Sequence, residues 1–195
     1  MVELGCKQIV LTGFGEPLVD KTLEKKVAYA KSKGLDVLVT ISLDGDEETH
    51  DKIRGRKDSW RRAIEGLKHA KKAGLDPYIN ITVGHYNAFS DDIEKMCQYS
   101  LDKGYTTLLN VATPGGMVQN NKEIMVDEAD KLRLLELRKK YKNILRNIWN
   151  PFDKAYANIL GCNTVNRLYI TPIGDVLVCP YVHVKIGNIY EQSLK

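Results

Sequence analysis

A chain of 195 residues that is 43% hydrophobic and 28% charged can bury a sizeable core, which excludes a disordered segment and favours one globular domain with a small appendage. Lys and Arg number 29 against 25 Asp and Glu, and the resulting net charge of +4 is too mild to argue for nucleic acid or membrane as a partner. No run of about 18 apolar residues occurs, the first residues lack the basic-then-apolar order of a signal peptide, and the four cysteines, at 6, 97, 162 and 179, are too scattered for a disulfide-stapled secreted domain. The expected location is the cytoplasm, with the cysteines as thiols or metal ligands.

Strand-like and helix-like segments alternate from the start, the pattern of a parallel α/β fold with right-handed crossovers. The first strand is Gln8 to Thr12, whose β-branched and aliphatic residues suit burial on both faces. It runs into Gly13-Phe14-Gly15-Glu16-Pro17, where two glycines allow a sharp bend and close approach of a ligand, and Glu16 is left at the carboxyl end of the strand. A helix follows from an N-cap at Asp20 to Gly34, carrying Leu23, Val27 and Ala30 on its apolar side. The run from Leu35 to Leu43 is long for a strand and meets no turn signal before Asp44-Gly45.

The segment from Asp44 to Gly55 is charged and turn-rich. A helix is expected from about Ser59 to Ala73, a strand from Pro77 to Val83, a helix from Asp91 to Lys103, a strand from Thr106 to Ala112, and a charged helix from Asp127 to Tyr141. That makes four β/α units, closing a first domain at residue 150. Loops at strand ends place His85, Asn87 and Thr113-Pro114-Gly115-Gly116 where barrels bind substrates. The basic residues Lys52, Arg54, Arg56, Lys57, Arg61 and Arg62 are expected to be a solvated face, with Arg54 alone turned inward. Cys97 is expected to be a small core residue. Beyond Asn150 the texture becomes irregular, then Arg167 to Thr171 and Asp175 to Cys179 form a hairpin about Pro172-Ile173-Gly174, in a separate module over 151–195.

Three motifs fall in a telling order: Gly15-Glu16-Pro17 after a strand; Ser42-Leu43-Asp44-Gly45 followed by His50-Asp51-Lys52-Ile53-Arg54-Gly55; and Gly161-Cys162 with the hairpin ending in Cys179-Pro180. In this order the chain resembles radical S-adenosylmethionine (radical SAM) enzymes with a C-terminal SPASM or twitch domain. The resemblance implies a partial (β/α) TIM-like barrel that holds S-adenosylmethionine and a [4Fe-4S] cluster. It further implies reductive formation of a 5′-deoxyadenosyl radical and hydrogen abstraction from a peptide, protein or small-molecule precursor, with a reductant such as flavodoxin or ferredoxin as partner.

Carried over by position, the resemblance implies that Gly13, Gly15, Glu16 and Pro17 contact the amino group of the methionine moiety, that Ser42 lies where the ribose binds, that Asp44 is a further cofactor-binding residue, and that Cys162 and Cys179 are ligands of an auxiliary iron-sulfur cluster. Taken as residues alone, Glu16 is also readable as a solvated loop carboxylate, Ser42 to Gly45 as a plain turn, and the two cysteines as buried thiols or half of a zinc site. A non-catalytic or zinc-stabilised binding module is the alternative function.

The chain departs from the family in two places. The CxxxCxxC motif that binds the cluster beside S-adenosylmethionine is not in this sequence, where Cys6 stands alone. Family members also have a helix and a second strand where Val39-Thr40 here runs straight into Ile41-Ser42, so a missing β/α segment is expected between Thr40 and Ile41.

Overall fold

The computed structural model describes residues 7–13, 22–113, 121, 124–150, 159–160, 168–179 and 184–193. Six strands, β1 (Gln8–Gly13), β2 (Asp36–Ser42), β3 (Tyr78–Val83), β4 (Thr106–Val111), β5 (Leu145–Trp149) and the two-residue β6 (Ile159–Leu160), lie side by side in sequence order. Every neighbouring pair is parallel. The connecting helices are α1 (Leu23–Ser32), α2 (Glu47–Arg54), α3 (Ser59–Lys72), α4 (Asp91–Lys103) and α5 (Glu128–Lys140). A strand order that never reverses, joined by right-handed crossovers, keeps successive helices on one face and curls the sheet like part of a barrel. The expected α/β partial barrel is the fold observed.

Strand periodicity divides the residues between the two faces. Val37, Val39 and Ile41 of β2, Ile79, Ile81 and Val83 of β3, and Leu109 and Val111 of β4 are buried in one cluster with Ala63, Leu67 and Ala70 of α3, Ile93, Met96 and Cys97 of α4, and Leu134 and Leu137 of α5. At about 25 cal/mol per Å² of apolar surface removed from water, this layer is the main source of stability. The alternate positions, Thr40, Ser42, Tyr78, Asn80, Thr82, Thr106 and Asn110, fall on the face without helices. Register aligns Thr40 with Tyr78, Ser42 with Asn80, and Thr82 with Asn110.

Among the described residues β1 pairs with β2 alone and forms the edge of the sheet, so Val10 and Leu11 stay exposed where burial on both faces was expected. β2 runs unbroken through Thr40 and Ile41, paired with β1 and β3 in continuous register. One strand of seven residues occupies the position where a β/α segment is expected to be missing.

The turn-rich segment after β2 is the helix α2. The Asp46 side chain accepts from the Thr49 N–H at 3.0 Å, and Gly55 ends the helix with φ of +62°. β5, outside the four expected units, adds a fifth strand.

The tail hairpin forms as expected from β7 (Tyr169–Ile170) and β8 (Asp175–Leu177), turning at Gly174 with φ of +83°. A third antiparallel strand, β9 (Lys185–Asn188), completes the small sheet. Buried Asn188 ties it together: its Nδ2 donates to Ile173 O at 3.1 Å and Asp175 Oδ1 at 2.8 Å, and its Oδ1 accepts from the Tyr190 N–H at 2.8 Å.

Candidate functional site

The polar residues converge where β2 and β3 end. Asp44, two residues past β2 and only 4% exposed, uses both carboxylate oxygens: Oδ1 accepts from the Thr82 N–H at 2.9 Å, and Oδ2 accepts from Arg54 Nη2 at 2.5 Å. Its own N–H donates to Nδ1 of buried His50 at 3.1 Å, which fixes that imidazole nitrogen as an acceptor. α2 is thereby folded back onto the end of β2. Gly45 permits it, because a Cβ there would stand 2.8 Å from the Thr49 side chain. Arg54 points inward as expected. Beside it, Arg61 pairs with Glu47 at 2.8 Å, so the basic run is in part an ion-paired surface.

Below Asp44 on the helix-free face stand Ser42 and, across the ladder, Asn80. Thr40 Oγ1 donates to Thr12 Oγ1 at 2.9 Å one step lower, joining β1 to β2. Asn80 is 8% exposed, and its Oδ1 is buried without a hydrogen-bond partner. Carboxamide and hydroxyl groups at the carboxyl ends of parallel strands, on a face the helices leave uncovered, can receive a polar ligand.

The loop after β3 separates the two residues singled out there. Asn87 is spent on the turn: its Oδ1 accepts from the Gly84 N–H at 2.8 Å and its Nδ2 donates to Thr82 O at 3.1 Å. His85 remains 55% exposed, with Nδ1 2.8 Å from Oδ2 of fully buried Asp130. That hydrogen bond, reinforced by the carboxylate's charge, raises the His85 pKa above its ordinary value. Asp127 also approaches His85, at 3.8 Å. The three side chains offer metal-ligand atoms within 4.8 Å of one another, but Asp127 and Asp130 already bond each other's backbone N–H groups in the capping box of α5.

Of the expected cofactor contacts, Gly13 ends β1 opposite Ile41, and Ser42 and Asp44 lie at the end of β2. Gly15, Glu16 and Pro17 lie outside the described residues, as do Cys162 and the loop from Pro114 to Gly116. Cys179 is half-buried just after β8. Cys97 is a core residue, and burial pushes its thiol up to about 12, which suits packing and not ligation. Asn80, Thr82 and His50 were not singled out from the sequence. Polar residues at every second position of Tyr78-Ile79-Asn80-Ile81-Thr82 carried the signal for the first two.

Residues 18–99 match the family model of the Radical SAM superfamily. The sporulation killing factor maturation protein SkfB of Bacillus subtilis is 27% identical over 164 residues, covering 81% of this chain and 39% of that protein. The AdoMet-dependent heme synthase of Methanosarcina barkeri is 26% identical over 215 residues, covering 96% of this chain and 59% of that protein. Among solved structures, native anSMEcpe with bound AdoMet and Kp18Cys peptide superposes with a TM-score of 0.59 at 18% identity, over 95% of this chain and 55% of that one. The family match thus falls on the segment from before α1 to within α4, and the chain spans about half the length of the relatives it matches. No helix among the described residues is long and apolar enough to cross a membrane.

Proposed function

We propose that this chain is the scaffold of a radical SAM enzyme and that it holds S-adenosylmethionine against the helix-free face of its sheet. The observation that carries the reading is the polar cluster of Ser42 and Asn80 at the carboxyl edge, with a buried carboxamide oxygen lacking any partner. A nucleoside ribose supplies the missing donor, so the residues present fit this part of the cofactor. Glu16, from the Gly-Glu-Pro segment, takes the ammonium group of the methionine moiety. Asp44 touches no ligand in this reading and instead holds Arg54 and β3 in place.

The residues present do not fit the cluster beside the cofactor: the cysteines at 6, 97, 162 and 179 cannot form a CxxxCxxC set, and Cys97 is locked in the core. Were such a cluster bound beside it, the S-adenosylmethionine held by Ser42, Asn80 and Glu16 would supply radical chemistry for hydrogen abstraction from a substrate. A peptide, protein or small-molecule precursor is the proposed substrate class, because one relative is named for maturation of a killing factor, one as a heme synthase, and one structure contains a peptide. A flavodoxin or ferredoxin is the proposed reductant. Cys162 and Cys179 would hold an auxiliary cluster in the tail.

Titration of this chain with S-adenosylmethionine, read calorimetrically, tests the cofactor assignment. Glu16→Ala is expected to lose about 2 kcal/mol of binding, the worth of a charge-assisted hydrogen bond. Unchanged binding removes Glu16 from the site. Anaerobic reconstitution of the longer protein should then yield iron-sulfur absorbance and 5′-deoxyadenosine, whereas zinc with no deoxyadenosine overturns the enzymatic reading.

A further inference from the structure

We infer that His85, Asp127 and Asp130 form a binding site for one divalent transition-metal ion, between the loop after β3 and the first turn of α5. The site does not depend on the cofactor assigned above.

The donors converge from two elements. His85 Nδ1 lies 2.8 Å from Asp130 Oδ2 and 3.8 Å from Asp127 Oδ2, and the three ligand atoms fall within 4.8 Å of one another. Two ligands that each stand about 2.1 Å from one ion are about 3.0–3.4 Å apart in octahedral or tetrahedral geometry, a separation that the two observed distances bracket. The capping box leaves these donors available. Asp127 Oδ1 accepts from the Asp130 N–H and Asp130 Oδ2 accepts from the Asp127 N–H, each at 2.9 Å, while Asp127 Oδ2 is outside the box. Hydrogen bonds of this kind, made to metal-ligating carboxylates from behind, orient them for the ion.

The independent observation is the state of Asp130. Its side chain is fully buried, and although Oδ2 faces His85, Oδ1 has no hydrogen-bond partner. A buried carboxylate with an unsatisfied oxygen is costly, and buried charges are normally paired or bound to a metal ion. Capping α5 requires neither the burial of Asp130 nor a histidine beside it. A cation at this carboxylate removes the deficit.

Charge and ligand type set the kind of ion. The amino end of α5 carries about half a positive charge, which alone repels a cation, but two carboxylates held against it reverse the sign. Mg²⁺ and Ca²⁺ take oxygen ligands, whereas an imidazole nitrogen among the donors favours a transition metal. The histidine is held in place through its backbone, since the His85 N–H donates to Ile124 O at 3.0 Å. His85 and Asp127 are half-exposed, so the remaining coordination positions are open to water or to an oxygen donor from a ligand.

Mn²⁺ is the probe, because its preference for oxygen and nitrogen ligands keeps it off the thiols. It is titrated into the metal-free chain while the free ion is counted by its EPR signal and the histidine ring resonances are followed by NMR. One Mn²⁺ should bind per chain, broaden the His85 ring before the other histidines, and raise the melting temperature. Asp127→Asn keeps a good capping side chain and should still fold, yet weaken Mn²⁺ binding at least about 10-fold, the loss that even groups behind metal ligands produce. His85→Ala, on the loop, should weaken it as much. Glu128→Gln, in the same turn of α5 but outside the site, should bind as the native chain does. No binding at millimolar Mn²⁺ overturns the inference, as does native affinity in either ligand variant. Equal weakening by Glu128→Gln also overturns it, marking diffuse attraction to an acidic helix start, and so does Mg²⁺ that displaces Mn²⁺ at equal concentration.

Discussion

The carboxylate of Asp44 joins three elements: the end of β2 that carries it, β3 through the Thr82 N–H, and α2 through Arg54. Removing it leaves a backbone donor and a half-buried guanidinium without their acceptor. Asp44→Ala should therefore lower unfolding stability by about 3 kcal/mol in urea titration, within the range for breaking a buried pair. Arg54→Met should cost a similar amount, and the double variant should cost much less than the sum, because the two lose one shared interaction. Additive losses would disconnect the pair. Ser-Leu-Asp-Gly was visible in the sequence as a strand end, but Asp44 could not be told there from a ligand contact. The inward turn of Arg54 was expected from its place after that motif, but its pairing with Asp44 and the bond from the Thr82 N–H are tertiary contacts that residue spacing does not encode.

His85 gives a pH signature at the same scale. Asp130 raises its pKa above the ordinary 6.5, so the pair contributes stability that is fully present below that value and is lost as pH rises through the higher folded-state value. The melting temperature of the native protein relative to His85→Ala should accordingly fall between mildly acidic and mildly alkaline pH. A difference that stays constant across that window would mean that His85 does not titrate against Asp130.

At the scale of elements, the helices were legible because their ends are chemically marked. Ser90 caps α4 by accepting from the Asp92 N–H at 3.1 Å, and Gly104 ends it at φ of +67°. Ser90→Ala should cost about 1 kcal/mol, or about 2–4 °C in melting temperature for a chain of this size. A shift below half a degree would show that the cap is satisfied in another way. α2 was missed because Glu47 to Arg54 has almost no apolar stripe; its caps, the buried His50 and the Arg54 to Asp44 ion pair hold it. α3 is started by a neighbour: Asp58 makes no side-chain cap bond, and Asp51 of α2 accepts from the N–H groups of Asp58 and Trp60 at 2.7 and 2.9 Å. A cap supplied from seven and nine residues upstream leaves no local pattern to read. α4 and α5 are linked by Glu94, which accepts from Arg133 Nη2 at 2.8 Å and pairs with Lys140.

For the whole molecule, the parallel sheet was legible in the alternation of strands and helices, and the likeness to radical SAM enzymes in short motifs, of which Ser42 to Gly55 falls within the matched residues 18–99. The relation of β2 to the relatives was not. The alignment with the heme synthase runs over 215 residues although this chain has 195, so stretches of that relative have no counterpart here. One β/α unit between Thr40 and Ile41 is the proposed position of such a stretch, because Val39-Thr40 and Ile41-Ser42 carry two strand endings in one strand. The tail poses the other question of completeness. Cys179 follows β8 in a sheet braced by Asn188 and by the Lys185 to Asp175 ion pair at 2.6 Å, a rigid place from which to present a thiolate. Soft thiolates favour iron-sulfur clusters, so Cys179→Ala in the longer, anaerobically reconstituted protein should lower the iron count by one cluster's share and leave the cluster beside S-adenosylmethionine intact. Iron content and 5′-deoxyadenosine formation in the absence of substrate, measured on the same sample, separate the two clusters. A full iron count in that variant would show that the tail holds none.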